Sequence, residues 1–167
     1  LASEHVKVVL TGQGADEPLG GYQRYQGEIV SAKIPRTLIK WAGNLVNVLG
    51  IKNEKIIRAS NSLGEKDDVK RFVKVYSIFN EAEIEKLLNI KEKKSYKAVN
   101  YYYQLLNCKK KKKSVERMMA IDTRMNLSDD LLIYTDKITM NFSLECRVPL
   151  LDTELINFIE SLPSEFR

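Results

Sequence analysis

The sequence predicts a mostly helical chain with one β-strand near its N-terminus. A short apolar and β-branched run at residues 6–10 leads into glycines, as is typical of a strand that ends in a turn. Apolar residues then recur at spacings of three and four along most of the chain, which is the period of amphipathic helices. No other segment carries a convincing strand pattern, so we expect a single strand.

The composition is that of a folded domain with its own core. The chain has 167 residues, of which 44% are apolar. No apolar stretch approaches the ~20 residues that a membrane-spanning helix needs, so we expect no membrane partner. Cys108 and Cys146 lie far apart and in unlike contexts. This pattern predicts neither a disulfide framework nor a zinc site, and it fits a reducing, cytoplasmic setting.

The first element is the strand, which we expect to be buried because only Lys7 interrupts its apolar run. The sequence "VVLTGQGADEPLGGY" at residues 8–22 then reads as strand, glycine turn and helix start. Asp16 is the expected helix cap, since its side-chain oxygen can accept a backbone N–H of the first turn. A single buried strand needs partner strands, and the chain begins at Leu1 rather than at a methionine. We therefore expect a piece of a larger α/β protein.

Helical patterns follow in sequence. A capping box begins one of them, with Asn80 as the cap and Glu83 three residues later. Ser128 and Asp152 are the expected caps of the last two helices, and Phe158 is expected to pack inward in the last one. The predicted helices occupy residues 23–50 with a break at Pro35, 67–79, 80–88, 95–106, 115–126, 128–140 and 152–162, with a polar loop at 60–66.

A basic run from Lys109 to Lys113 supplies five positive charges, as many as the formal net charge of +5. Such a run can bind nucleic acid or acidic lipid. It lacks the interleaved aromatic residues of a single-strand binding surface, so we favour a solvated loop and consider nucleic acid an unlikely partner. A non-catalytic basic helical module that binds nucleic acid is kept as an alternative function.

The glycine turn after the strand has the chemistry of a phosphate site. It leaves backbone N–H groups free and lets a ligand approach the main chain, and Thr11 adds a hydroxyl. Asp16 lies at the mouth of the turn, where a carboxylate can hold Mg²⁺ against phosphate oxygens. The other interpretation is a ligand-free turn with a capping aspartate. The residues of this turn alone do not decide between the two.

A second stretch, "DDLLIYTDKITMNFSLECRVPLLD" at residues 129–152, places charges inside an apolar segment. Asp136, Lys137, Glu145 and Arg147 cannot all be buried unpaired, because an unpaired buried charge is costly. We interpret them as a structural set of ion pairs, for instance Glu145 with an arginine.

Taken together, "TGQGADEPLGGYQRY" and "DLLIYTDKITMNFSLECRVPLLD" resemble the synthetase domain of the glutamine-dependent asparagine synthetases. That family's motifs read approximately S-G-E/Q-G-x-D-E-x-x-G-G-Y and D-K/R-x-x-M-x-x-S-L-E-x-R-V-P-x-L-D. Both occur here in the same order. The resemblance is good over residues 1–30 and 115–167, and between them it extends only to helical character.

The resemblance implies a parent domain of the α/β nucleotide-binding class, similar to the adenine nucleotide alpha hydrolases, with a parallel sheet. It implies ATP and Mg²⁺ as cofactors and adenylation of the aspartate side-chain carboxylate, with release of pyrophosphate. Ammonia made from glutamine in a separate N-terminal domain then attacks the acyl group. A helical chain of this kind would therefore be one part of an amide-forming ligase.

The same resemblance assigns roles to individual residues. Glu145 and Arg147 are expected to support the site rather than to contact the substrate. The implied site consists of Thr11, Gly12, Gln13 and Gly14 at the nucleotide, Asp16 as the Mg²⁺ ligand, and Gln13, Glu17 and Asp130 as catalytic or substrate-pocket residues.

Two departures from the family pattern limit this assignment. Gln13 stands where many members have a glutamate, and an amide cannot accept a proton as a carboxylate can. This keeps open a related adenylating enzyme, such as a β-lactam synthetase-like enzyme or a peptide cyclase. The family's pyrophosphate-binding loop and N-terminal nucleophilic cysteine have no counterpart here. We therefore expect residues 1–167 to be the C-terminal portion of a synthetase domain, inactive alone and inclined to self-associate.

Overall fold

A computed structural model describes residues 1–49, 53, 56, 59, 62–79, 81–89, 94–111, 113–163 and 166. The chain forms two compact units. The first unit combines both ends of the chain, Leu1–Tyr22 and Met118–Arg167, and the second unit is the continuous segment Gln23–Arg117. The glycine turn of the first motif and the whole second motif therefore belong to the same unit, although more than a hundred residues separate them.

The first unit contains a parallel pair of short strands, β1 (Val8–Leu10) and β2 (Glu145–Arg147). Val8 lies opposite Glu145 and Leu10 opposite Arg147. The N–H of Thr11 donates to the Arg147 carbonyl at 3.0 Å, which continues the pairing into the glycine turn. The mostly helical class is confirmed. The expectation of a single strand is wrong, because three residues are too few for β2 to show a strand pattern in the sequence.

The strand β1 is not buried as predicted. Val8 is 39% exposed and Leu10 is 72% exposed. Parallel strands are normally covered on both faces, whereas a two-stranded sheet offers few neighbours to do this. Within the part of the chain that the structure describes, the prediction of a buried strand is therefore wrong.

Most of the chain is helical, and the predicted break at Pro35 and the helix after residue 80 are confirmed. Asn80 itself and residues 60 and 61 of the predicted loop lie outside the described residues. In chain order the helices are α1 (Asp16–Leu19), α2 (Gln23–Ala32), α3 (Arg36–Val48), α4 (Asp68–Tyr76), α5 (Glu81–Leu88), α6 (Lys94–Leu105), α7 (Ser114–Asp122), a π-helix (Thr123–Leu131), α8 (Leu132–Asn141) and α9 (Thr153–Ser161).

The predicted cap at Ser128 is wrong, because no new helix begins there. The π-helix joins α7 to α8 without a break, and the Leu132 N–H donates to the Leu127 carbonyl, five residues earlier. Leu127 is 1% exposed and fixes one side of this segment. The Ser128 hydroxyl instead accepts a hydrogen bond from Arg124 at 3.1 Å. Segments of π-helix are rare and often lie at functional sites.

The last helix, α9, begins as predicted. Oδ1 of Asp152 accepts hydrogen bonds from the N–H groups of Glu154 and Leu155 at 3.0 and 3.1 Å. Ile159 is buried, but Phe158 is 62% exposed, so its predicted inward packing is wrong. Asp152 thus ends the second motif and starts the helix that follows it.

The second unit has an apolar core in which α4 packs against α6. Phe72 and Tyr103 are buried, and their rings lie 6.4 Å apart. Next to this core, Glu28 of α2 and Arg71 of α4 are also almost fully buried. Arg71 donates from Nε to Glu28 Oε2 at 3.0 Å and lies 2.8 Å from Oε1, which is a bidentate ion pair. Charge pairing thus complements apolar packing in this unit.

No described helix has both the length and the apolar composition that a membrane crossing requires.

Candidate active site

The turn after β1 is built on glycines. Gly14 has a φ of +86°, and a Cβ at this position would overlap the side chain of Leu151. Both facts call for glycine, because other residues rarely adopt this conformation. At Gly12 a Cβ would meet nothing within 4 Å, so the main chain there borders open space. The predicted approach of a ligand to the backbone is thus sterically possible at Gly12.

Asp16 is the first residue of α1 and is exposed. The cap position is occupied by Ala15, and no side chain caps this helix, so the predicted capping role of Asp16 is wrong. A Cβ at Gly21 would overlap Asp16 Oδ1, which means that glycine at position 21 makes room for this carboxylate. No hydrogen bond to the Asp16 side chain is found among the described residues. Its oxygens are therefore available to a ligand.

Glu17, the next residue, points inward and is 1% exposed. The Tyr22 hydroxyl donates to its Oε1 at 2.7 Å. Its Oε2 is buried and has no hydrogen-bond partner in the described part of the chain. A buried carboxylate oxygen that accepts no hydrogen bond lowers the stability of the fold. A hydrogen-bond donor on a ligand, or on a residue outside the described ones, would therefore bind favourably to this oxygen.

Gln13 connects the turn to the second motif. Its Nε2 donates to Oγ1 of Thr135 on α8 at 2.7 Å, across 122 positions of sequence. The other end of the amide, Oε1, is buried and lacks a partner among the residues that the structure describes. Thr135 could not be predicted as a site residue from the sequence, because a threonine inside a helix has many ordinary roles and only the fold brings it to Gln13.

The remaining charges of the second motif lie at the surface. Asp136 and Lys137 are exposed on α8. Arg147 Nε lies 2.7 Å from Glu145 Oε1, and both side chains are more than half exposed. The predicted pair between Glu145 and an arginine is confirmed, whereas the burial assumed for these charges is wrong. Because β2 lies at the surface, its outward side chains remain in solvent.

Asp130 lies in the π-helix and is exposed. Helix α1 packs against this π-helix, so Asp130 belongs to an element that borders the glycine turn. Within the described ranges no hydrogen bond joins Asp130 to Gln13, Asp16 or Glu17. The first unit therefore brings together the turn, Thr135 and Tyr22, and it leaves Asp130 without a bond to them.

The donor chemistry fits a magnesium–nucleotide complex better than a metal held by the protein alone. No group of three or more metal-ligating side chains occurs in the described residues. Mg²⁺ commonly takes one or two carboxylates, keeps several waters and completes its shell with substrate phosphates. A single free carboxylate at Asp16 beside an open glycine turn meets that requirement.

The parallel pairing of β1 and β2 and the glycine turn that leads into α1 are typical of α/β nucleotide-binding domains. The family model of asparagine synthase matches residues 1–167. The chain therefore belongs to the asparagine synthase family.

Curated relatives agree with this assignment. The chain is 30% identical over 174 residues to "Asparagine synthetase [glutamine-hydrolyzing] 1" of Bacillus subtilis, with 99% of this chain and 26% of the relative covered. It is 33% identical over 173 residues to a "Putative asparagine synthetase [glutamine-hydrolyzing]" of Mycobacterium bovis, with 98% and 25% covered. The chain thus spans about a quarter of the length of these relatives. No solved structure matches it significantly.

Proposed function

We propose that this chain is part of an ATP-dependent synthetase that adenylates the side-chain carboxylate of aspartate and transfers ammonia, derived from glutamine, to form asparagine. The observation that carries the proposal is the joining of the two family motifs in one unit. The Gln13–Thr135 hydrogen bond and the pairing of β1 with β2 both connect them. Membership of the asparagine synthase family supports the amide-forming chemistry.

In this proposal the backbone of the glycine turn, from Thr11 to Gly14, receives the phosphates of the nucleotide. The opening beside Gly12 supports close contact with the main chain. Asp16 binds Mg²⁺, which with ATP supplies charge neutralisation at the phosphates and a good leaving group at the carboxylate. Gln13 and Glu17 each have a buried side-chain oxygen without a hydrogen-bond partner in the described part of the chain, and in this proposal these oxygens bind the substrate. Asp130 completes the pocket.

We further propose that residues 1–167 form the C-terminal portion of the synthetase domain, with the pyrophosphate-binding loop and the glutaminase domain elsewhere in the whole protein. The relatives are about four times as long as this chain, which supports this assignment. Residues 1–167 alone are then inactive and bind nucleotide weakly. Exposed apolar side chains in the first unit support self-association of the isolated chain; among them are Leu10, Tyr134, Phe142 and Phe158. Two free cysteines fit a reducing, cytoplasmic location.

The decisive experiment replaces Asp16 by Asn in the complete protein. We expect Mg²⁺-dependent pyrophosphate release from ATP and aspartate to fall by about 100-fold or more, because an amide is a much poorer Mg²⁺ ligand than a carboxylate. Asp67→Asn is the matched control: it makes the same chemical change at an exposed helix cap in the second unit, where Asn serves equally well. Wild-type turnover in the Asp16→Asn protein would refute the assignment.

The same assay tests the second candidate function, a related enzyme that adenylates another acid. Gln13 favours it, since this neutral side chain replaces the carboxylate that many family members carry. Pyrophosphate release that requires ATP and Mg²⁺ but not aspartate would support this alternative and exclude asparagine formation.

A further inference from the structure

The side-chain amide of Gln13 is held from one end only. Its Nε2 donates to the Thr135 hydroxyl at 2.7 Å, and this bond anchors the amide at α8. Its Oε1 is directed elsewhere, is buried, and has no donor among the described residues. Proteins rarely leave a buried acceptor unpaired, and such groups call for an explanation.

A bound substrate provides the simplest partner for this acceptor. Gln13 lies in the turn between Gly12 and Gly14, beside the open backbone, and it is part of the proposed active site. An amide oxygen accepts hydrogen bonds and cannot take up a proton, so it selects a ligand that presents a donor. In an amide-forming reaction the nitrogen nucleophile carries N–H groups.

We propose that Thr135 is a positioning residue that holds the Gln13 amide so that Oε1 accepts a hydrogen bond from the N–H of the incoming nitrogen nucleophile. The inference rests on the proposed function and adds a positioning residue to it. The hydrogen bond between Nε2 and the Thr135 hydroxyl anchors the amide at α8, and it leaves Oε1 as the acceptor that has no partner among the described residues.

A double-mutant cycle in the complete protein tests this role. The variants are Thr135→Val, which removes the hydroxyl at nearly constant shape, Gln13→Ala, and the two combined. With ATP and aspartate saturating, we expect Thr135→Val to lower kcat/KM for ammonium by about 10-fold, the order of one buried hydrogen bond. The KM values for ATP and aspartate should stay within about 2-fold. In the Gln13→Ala background, Thr135→Val should change kcat/KM by less than about 2-fold.

Thr135→Ser is the conservative control, because serine keeps the hydroxyl; we expect its kcat/KM for ammonium to stay within about 3-fold of wild type. An equal loss from Thr135→Val with and without Gln13 would mean that Thr135 acts only in packing, and would overturn the proposal. If Thr135→Val proves unstable, the comparison of Thr135→Ser with Thr135→Ala decides the same question.

A pH profile provides a readout that a packing role would not move. Gln13→Glu places an ionisable group at this position, and the Thr135 hydroxyl can then donate to the charged form and lower the pKa of the introduced carboxylate. Adding Thr135→Val to Gln13→Glu should shift the acidic limb of kcat/KM upward by about 0.5–1 pH unit. The same substitution beside the natural Gln13 should leave that limb in place. An unshifted limb in the Gln13→Glu background would contradict the proposal.

The two levels of failure are distinguishable. Absence of aspartate-dependent pyrophosphate release in the wild-type protein would refute the proposed function and this inference together. An active wild-type protein with an additive cycle would refute the role of Thr135 alone.

Discussion

Gly14 shows at the scale of one residue how the turn depends on a missing side chain. Its φ is +86°, and an added Cβ would overlap Leu151. Gly12, two positions earlier, has neither restriction. The two positions of the same motif therefore favour glycine for different physical reasons. Gly14 is required by the fold, and Gly12 leaves space for a ligand.

We predict that Gly14→Ala destabilises the protein by about 1–3 kcal/mol, from the positive φ and from the contact with Leu151. Gly12→Ala should change the free energy of unfolding by less than about 0.5 kcal/mol. Urea unfolding of both variants beside wild type measures the difference. Equal stability of the two variants would show that the conformation at Gly14 is not strained for alanine.

The sequence could predict the residue types of the site but not their surroundings. The glycine turn, Asp16 and Glu17 follow from the motif, because spacing along the chain identifies them. The burial of Glu17 and the Gln13–Thr135 bond depend on side chains that only folding brings together. Contacts between residues that are far apart in the sequence therefore could not be predicted from the motif.

The helix ends show the same limit at the scale of elements. Asp152, Asp16 and Ser128 all have residue types that favour caps, yet only Asp152 acts as one. Asp152 follows a turn at Pro149–Leu151 that leaves its backbone extended, so its side chain can reach the free N–H groups. Ser128 lies inside a continuous π-helical segment, where no free N–H groups are available to a cap. A side-chain cap needs a non-helical backbone at the cap position as well as the correct residue type.

For the cap of α9 we expect Asp152→Ala to cost about 1 kcal/mol of stability, since two N–H groups of the first turn lose their acceptor. Asp152→Asn keeps a good capping side chain and should cost less than about 0.5 kcal/mol. Thermal unfolding midpoints of the two variants provide the measurement. A similar loss in both would point to the charge of Asp152 rather than to its hydrogen bonds.

The second unit shows what stabilises the molecule beyond individual elements. Asp68 accepts hydrogen bonds from Arg117 at 2.5 Å and from Tyr103 at 2.9 Å, and Arg71 joins it to the buried Glu28. Burial alone would raise the pKa of Asp68, but the donors Arg117, Tyr103 and Arg71 hold it below the ordinary value of 3.8. Burial, together with the bond to Asp68, raises the pKa of Tyr103 to about 12. Four chain segments are thus connected through one carboxylate.

Because of this network, the free energy of unfolding depends on pH. A lowered pKa in the folded state means that Asp68 contributes fully above its unfolded value of 3.8, and that the contribution is lost as pH falls through the folded value. We predict that Asp68→Asn costs about 2–3 kcal/mol at pH 7, as for hydrogen bonds to charged groups. The gap between wild type and variant should narrow as the pH falls below 3.8.

Urea unfolding midpoints at pH 7 and at several values below 4 test this prediction. Asp67→Asn is the matched control, because Asp67 caps α4 through the Lys70 N–H and lies outside the bonds from Arg117 and Tyr103. A gap for Asp68→Asn that stays constant with pH would contradict the assigned role.

For the molecule as a whole, the helical class and most helix positions could be predicted, because amphipathic periods are local. The strand β2 and the division into two units could not. Both depend on residues at opposite ends of the sequence. The family resemblance supplied part of the missing long-range information, since it assigned the two motifs to one synthetase domain.

The parallel pairing of β1 with β2 has a consequence for how the chain folds during its synthesis on the ribosome. Val8 leaves the ribosome before its partner Glu145, which is made more than a hundred residues later. At typical rates of synthesis the strand waits on the order of ten seconds. The continuous segment Gln23–Arg117 can collapse during that interval, because all of its residues are already present. The pairing of β1 with β2 therefore forms only after that segment has been made, and slow translation before Glu145 would lengthen the time for which β1 lacks this partner and exposes an aggregation-prone edge.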